Sequence, residues 1–152
     1  MKKYEILEHK ADLKIKAFGK TKEKLFLNML SGMSENMKPE LQKPGEKTKR
    51  KIKLSSFDFQ ALLVDFLSEI LYLSQVNKEV FFEAKFKKFS ENEGKEDKSS
   101  SSPFTAAWEI DGEIFGQKAE RFGEDIKAVT YYNLEIKQKD DDTWEATVLF
   151  DI

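Results

Sequence analysis

Behind Asp58, the residues Phe59, Leu62, Leu63, Phe66, Leu67, Ile70 and Leu71 recur at steps of three and four. That spacing lays an apolar stripe along one side of an α-helix, and Asp58 is suited to cap its first turn. The other side carries Gln60, Asp65, Ser68 and Glu69. A helix that is apolar on one side only has to bury that side against a second layer.

Alternating strand patterns supply that layer. Leu13, Ile15 and Ala17 alternate with Lys14 and Lys16 until Gly19 ends the pattern. Thr21 can then cap a second helix with the stripe Phe26, Met29, Leu30, Met33 and Met37, which Pro39 stops. Residues 39–46 (PELQKPGE) are expected to form a loop. In KTKRKIKL, Lys47, Lys49, Lys51 and Lys53 fall on one side and Thr48, Ile52 and Leu54 on the other. This pattern predicts an edge strand guarded by lysines.

A strand pattern resumes over residues 79–89. Ser90 to Pro103 is charged and serine-rich without periodicity, and is expected to be a flexible loop within the domain. Asp111-Gly112, between alternating apolar residues, predicts a two-residue hairpin. The last two strands are AVTYYNLEIK and WEATVLFDI, joined by a turn at Asp140 to Asp142. The sum is one α+β domain over residues 1–152, with two helices packed on mixed, largely antiparallel sheet.

Composition narrows the function classes. Acids and bases nearly balance, 28 against 26, for a formal charge of −2. No global field therefore draws the molecule to nucleic acid or an anionic membrane, and a role near RNA would run through a protein partner. The chain has no cysteine, which removes disulfides, thiolate metal sites and cysteine nucleophiles. The start MKKYEILEHK has no apolar signal core, and the apolar runs read as too short to cross a bilayer. A cytoplasmic protein is expected.

Two regions carry candidate chemistry. Near the start, Glu8 and Asp12 flank His9, the only histidine. In the final strand Trp144, Ala146, Val148, Phe150 and Ile152 share one face, and Glu145, Thr147, Leu149 and Asp151 the other. The α-carboxylate of Ile152 then stands one residue from Asp151. If the first strand pairs near the last, Asp12 joins them. Three carboxylates in one pocket repel, so protons or a cation must offset the charge. Oxygen ligands of this kind suit Ca²⁺, or Mg²⁺ and Mn²⁺ with more retained water. His9 can enter the ligand set for a softer metal or orient a carboxylate or phosphate from behind it. Such a site also suits a small metal-dependent phosphoesterase with the metal on Asp12 and Asp151 and His9 as general base. The plain alternative is a solvated strand entrance and an exposed penultimate aspartate. Lys127, ahead of Ala128, Val129 and Thr130, can meet a phosphate or carboxylate, or simply be a solvated strand-end lysine. Phosphate-loop, dinucleotide and nucleophile-elbow motifs are absent from the sequence.

Four segments in order, YEILEHKADLKIKAFGKTKEKLF, DFQALLVDFLSEILYL, EDIKAVTYYNLEI and the terminal FDI, resemble the archease family over Tyr4 to Ile152. The resemblance implies a small non-enzymatic cofactor of tRNA splicing and RNA repair. Such proteins activate an RtcB-type, GTP-dependent RNA ligase, promoting its guanylylation and multiple turnover. The resemblance further implies a metal ion, most often calcium, on Asp12, Asp151 and the Ile152 carboxylate. His9, Glu8 and Lys127 would lie behind it or face the partner, RNA would be met only through the ligase, and the chain would be a monomer or weak oligomer. Two departures stand out: Tyr132 occupies a position where many members carry histidine, and QKAERFGED lacks the histidine that many carry before the KAVT motif; the loop Ser90 to Pro103 is also longer than usual.

Overall fold

The computed structural model describes residues 1–7, 11–91 and 107–152. Its elements run β1 (Tyr4–Leu7), β2 (Leu13–Gly19), α1 (Lys22–Asn36), β3 (Pro39–Leu41), β4 (Lys47–Ser56), α2 (Phe59–Asn77), β5 (Glu79–Glu91), β6 (Trp108–Phe122), β7 (Ala128–Gln138) and β8 (Trp144–Asp151). One sheet has the order β1-β2-β8-β7. The other is organised around β6, which pairs with β3, β4 and β5. Among the described residues every pairing is antiparallel. The α+β class with two helices holds.

Both helices begin as their caps predict. Thr21 Oγ1 accepts from Lys24 N at 3.1 Å, and Asp58 Oδ1 accepts from Ala61 N at 2.7 Å, so each cap satisfies an otherwise orphaned amide. The predicted stripes form the core, with Phe26, Met29, Leu30, Leu62, Phe66 and Ile70 fully buried against Ile15, Ala17 and Val148. Lys22 ties the two sheets together, its ammonium 4.9 Å from the Trp108 ring on β6 and 5.3 Å from the Trp144 ring on β8.

The structure corrects four expectations. Residues 39–46 are not all loop, because Pro39, Glu40 and Leu41 pair with Phe122, Arg121 and Ala119. A strand led by proline is tolerated here because the long β6 offers a free flank. Second, Asp111-Gly112 makes no hairpin, since β6 runs through it for 15 residues. Gly112 serves a different purpose. A Cβ there would lie 2.3 Å from the Lys85 carbonyl oxygen, where β5 bulges between Phe86 and Lys88 and its backbone closes in. Third, β5 extends to Glu91, so Ser90 belongs to a strand; the remainder of the predicted loop lies outside the described residues. Fourth, α2, at 19 residues, is by length and composition alone long and apolar enough to cross a membrane, but its apolar side is spent on the core.

The lysine-guarded edge is borne out. Lys47, Lys49, Lys51 and Lys53 of β4 are exposed while Ile52 is buried, and β4 pairs with β6 alone among the described strands. Two polar groups lie deeper. Glu79 is held by Arg50 Nε at 2.7 Å and Nη2 at 2.8 Å, with Lys118 Nζ at 3.3 Å. Glu145 of β8 is buried between Lys137 Nζ at 3.1 Å and Lys16 Nζ at 3.6 Å.

Candidate functional site

The site begins with strand register. Leu13 of β2 pairs with Phe150 of β8, and Val129 of β7 pairs with the same Phe150. These three apolar residues therefore form one row across three strands. Asp12 immediately precedes Leu13, and Asp151 immediately follows Phe150, opposite Ala128. The β2 entrance and the β8 exit thus meet at one end of the sheet, the geometry the sequence required but did not itself show.

Local bonding ties that end down. The backbone N–H of Lys127 donates to the Asp151 carbonyl at 2.7 Å, which extends the β7–β8 ladder by one step. The Ile152 side chain is half-buried and packs against the core, while Asp151 is exposed and Asp12 is half-buried. Thr130 Oγ1 donates to the Leu149 carbonyl at 2.9 Å just before β7 bulges, between Thr130 and Glu135. The bulge brings out Tyr131 and Tyr132, the latter being the residue that stands in the histidine position.

The carboxylate side chains that the register brings to this end are those of Asp12 and Asp151. Among the described residues no three side chains of His, Cys, Asp or Glu are grouped to hold a metal ion. Glu8 and His9 lie outside the described residues. Lys127 is exposed at the same end.

Sequence reasoning missed the two buried glutamates. Three bonds from Arg50 and Lys118 hold Glu79 below the ordinary carboxylate range, the Arg50 hydrogen bonds first, against the opposing effect of burial. Burial alone would push Glu145 up, but Lys137 and Lys16 outweigh it and its acidity increases. Both glutamates are saturated by lysine or arginine and serve the sheets. A groove of about 460 Å³ on the β4–β6–β5 sheet is lined by Lys51, Lys85, Lys87, Asp111 and Glu113, a ladder of alternating charges remote in sequence from Asp12 and Asp151.

The profile of the archease protein family matches residues 4–152. The chain belongs to the archease family. It is 40% identical to the archease of Methanosarcina barkeri over 99% of this chain and 97% of that one. Identity to the Methanosarcina mazei archease is 38% with the same coverage. A solution structure of Methanobacterium thermoautotrophicum protein 1598 superposes with a TM-score of 0.70 at 26% identity, covering 100% of both chains. The Thermotoga maritima archease, described as a possible chaperone, shares the fold with a TM-score of 0.59 at 18% identity, over 96% of this chain and 94% of that one. Family membership agrees with the order of the quoted segments, and the two-helix antiparallel architecture is the family's own.

Proposed function

We propose that the chain is a non-enzymatic activator of an RtcB-type RNA ligase in tRNA splicing and RNA repair, acting in the cytoplasm through an acidic metal pocket. The observation that supports this reading is the register of β2, β7 and β8, in which Leu13 and Val129 both flank Phe150, so that Asp12, before Leu13, and Asp151, after Phe150, lie toward the same end of the sheet. Asp12, Asp151 and the Ile152 carboxylate would hold a divalent cation, Ca²⁺ before Mg²⁺ or Mn²⁺, because exposed oxygen donors without nitrogen or sulfur favour hard ions. When bound, the cation would supply positive charge for nucleotide phosphates, the chief means by which phosphoryl and nucleotidyl transfer is accelerated.

The residues of this chain do the positioning. Asp151 ends β8, and Asp12 lies in the bend that leads into β2, one residue before the row Leu13–Phe150. Lys127 stands beside them with a cationic group for a phosphate or for a carboxylate of the partner. Glu8 and His9 belong to the same entrance by sequence and would orient the donors. RNA is engaged through the ligase. The chaperone description of the Thermotoga maritima relative is compatible with a protein that acts on another protein.

The test is ligase guanylylation with Asp12→Ala combined with Asp151→Ala. The account expects the double variant to fold as the parent does and to lose acceleration. Undiminished acceleration would refute the pocket. Turnover of phosphoesters by the purified protein alone with Mn²⁺ would refute the non-enzymatic reading and favour a hydrolase.

A further inference from the structure

Charge is nearly balanced in the whole chain but not across its surface. The β4 strand carries Lys47, Lys49, Arg50, Lys51 and Lys53 and no acid, whereas α2 carries Asp65 and Glu69 and neither lysine nor arginine. Residues 128–136, the start of β7, are likewise free of basic side chains. These two elements are neighbours. Gln75 of α2 donates its amide to the Ile126 carbonyl at 2.6 Å, just before β7. Farther along, α2 packs against β7, and burial, then the carboxylates of Asp65 and Asp58, raise the phenol of Tyr131.

The outward side of α2 is unusual for a surface helix. Glu69, Tyr72 and Val76 follow at steps of three and four, so they lie along one stripe, and at its N-terminal end the half-buried Asp65 accepts a hydrogen bond from Ser56 Oγ at 2.6 Å. Tyr72 is 57% exposed, Val76 61% and Tyr131 57%. The face thus exposes two tyrosines and a valine among carboxylates. Tyrosine offers a large contact area at small entropic cost and is enriched at binding hot spots.

We infer that this α2–β7 face is a docking surface for an arginine-bearing face of a protein partner. A guanidinium can stack on a tyrosine ring while pairing with a neighbouring carboxylate, and this face provides both at adjacent positions. A second copy of this chain is a poorer occupant. Its basic strand is mostly lysine, and its Arg50 is committed to Glu79 by two hydrogen bonds. The inference rests on the activator reading and deepens it. Tyr131 lies four residues beyond Lys127, which immediately precedes β7, at most about 13 Å along the chain, so one partner face can cover both the docking surface and the acidic tip.

The test uses the full chain with Glu69→Lys combined with Tyr72→Ala, and separately Val76→Arg, each first shown to melt as the parent does. Two probes are titrated, the RtcB-type ligase and a fluorescent deca-arginine peptide, with deca-lysine for comparison. The expected result is at least a tenfold loss of affinity for both ligase and deca-arginine in each variant, with the parent binding deca-arginine more tightly than deca-lysine. Asp12→Ala with Asp151→Ala is expected to keep deca-arginine binding. Unchanged affinity in the variants, or no preference for arginine over lysine, would overturn the inference. So would sedimentation showing that the parent self-associates through this face and the variants do not. If the parent fails to accelerate any RtcB-type ligase, the activator reading falls and the peptide titration alone decides the docking surface.

Discussion

Replacing Arg50 by alanine isolates the strongest buried polar contact in the fold. The Glu79 side chain is 2% exposed and the Arg50 side chain 37%, with two hydrogen bonds of 2.7 and 2.8 Å between them. Removing one partner of a buried ion pair costs about 3–5 kcal/mol, because the other charge is left without compensation. Here Lys118 remains 3.3 Å from Glu79. The expected loss is therefore smaller, about 2–3 kcal/mol, a fall of roughly 5–10 °C in Tm for a chain of this size. The reverse change, Glu79→Gln, should cost less, because Arg50 can regain water and the amide keeps an acceptor. The sign with pH follows from the lowered pKa of Glu79, which the Arg50 hydrogen bonds cause first. The pair stabilises the fold above the unfolded glutamate value, about 4.3, and that contribution is lost as pH falls through the lower folded value. Urea denaturation followed by circular dichroism at pH 7 and at successively lower pH should show the gap between parent and Arg50→Ala closing on acidification. A gap below about 0.5 kcal/mol at pH 7, the usual scale of a surface substitution, or one that widens in acid, would refute the reasoning.

Alkaline titration gives a second check. Burial first, and then the hydrogen bond to Glu35, push the Tyr4 phenol up to about 12. Ultraviolet titration should show two tyrosines, Tyr4 and Tyr131, titrating late, and Glu35→Gln should bring Tyr4 alone back toward ordinary values. Its contribution to stability should be intact below pH about 10 and lost as pH rises through the folded value. Gly112→Ala should destabilise the protein by about 1–3 kcal/mol or more in thermal denaturation, since its Cβ would meet a backbone oxygen rather than a yielding side chain.

Local signals made both helices legible. The caps Thr21 and Asp58 and the stripes behind them are decided within a few turns of chain, and packing agrees with them. The Asp111-Gly112 signal misled because turn chemistry was weighed above phase. A two-residue turn there would set Ile114 opposite Glu109 on one face, whereas Trp108, Ile110 and Ile114 are in phase for one uninterrupted strand and share its buried side. Strand β3 was not legible at all, since three residues led by proline become a strand only when β6 pairs with them. Glu145 is buried because Lys16 and Lys137, distant in sequence, flank it from the neighbouring strands, which local alternation does not show. The candidate site divides in the same way. Its acidic residues can be picked out one by one, but Asp12 and Asp151 become neighbours only through the non-local register of β2 with β8.

The most direct test of the acidic pocket is calorimetric titration of Ca²⁺ into the parent chain and into a variant with one residue appended after Ile152. The appended residue turns the Ile152 carboxylate into an amide and moves the terminal charge outward, leaving the strands as they are. The account predicts one Ca²⁺ bound per parent chain and at least tenfold weaker binding in the extended chain. Equal affinity in the two, or no binding by the parent, would contradict it.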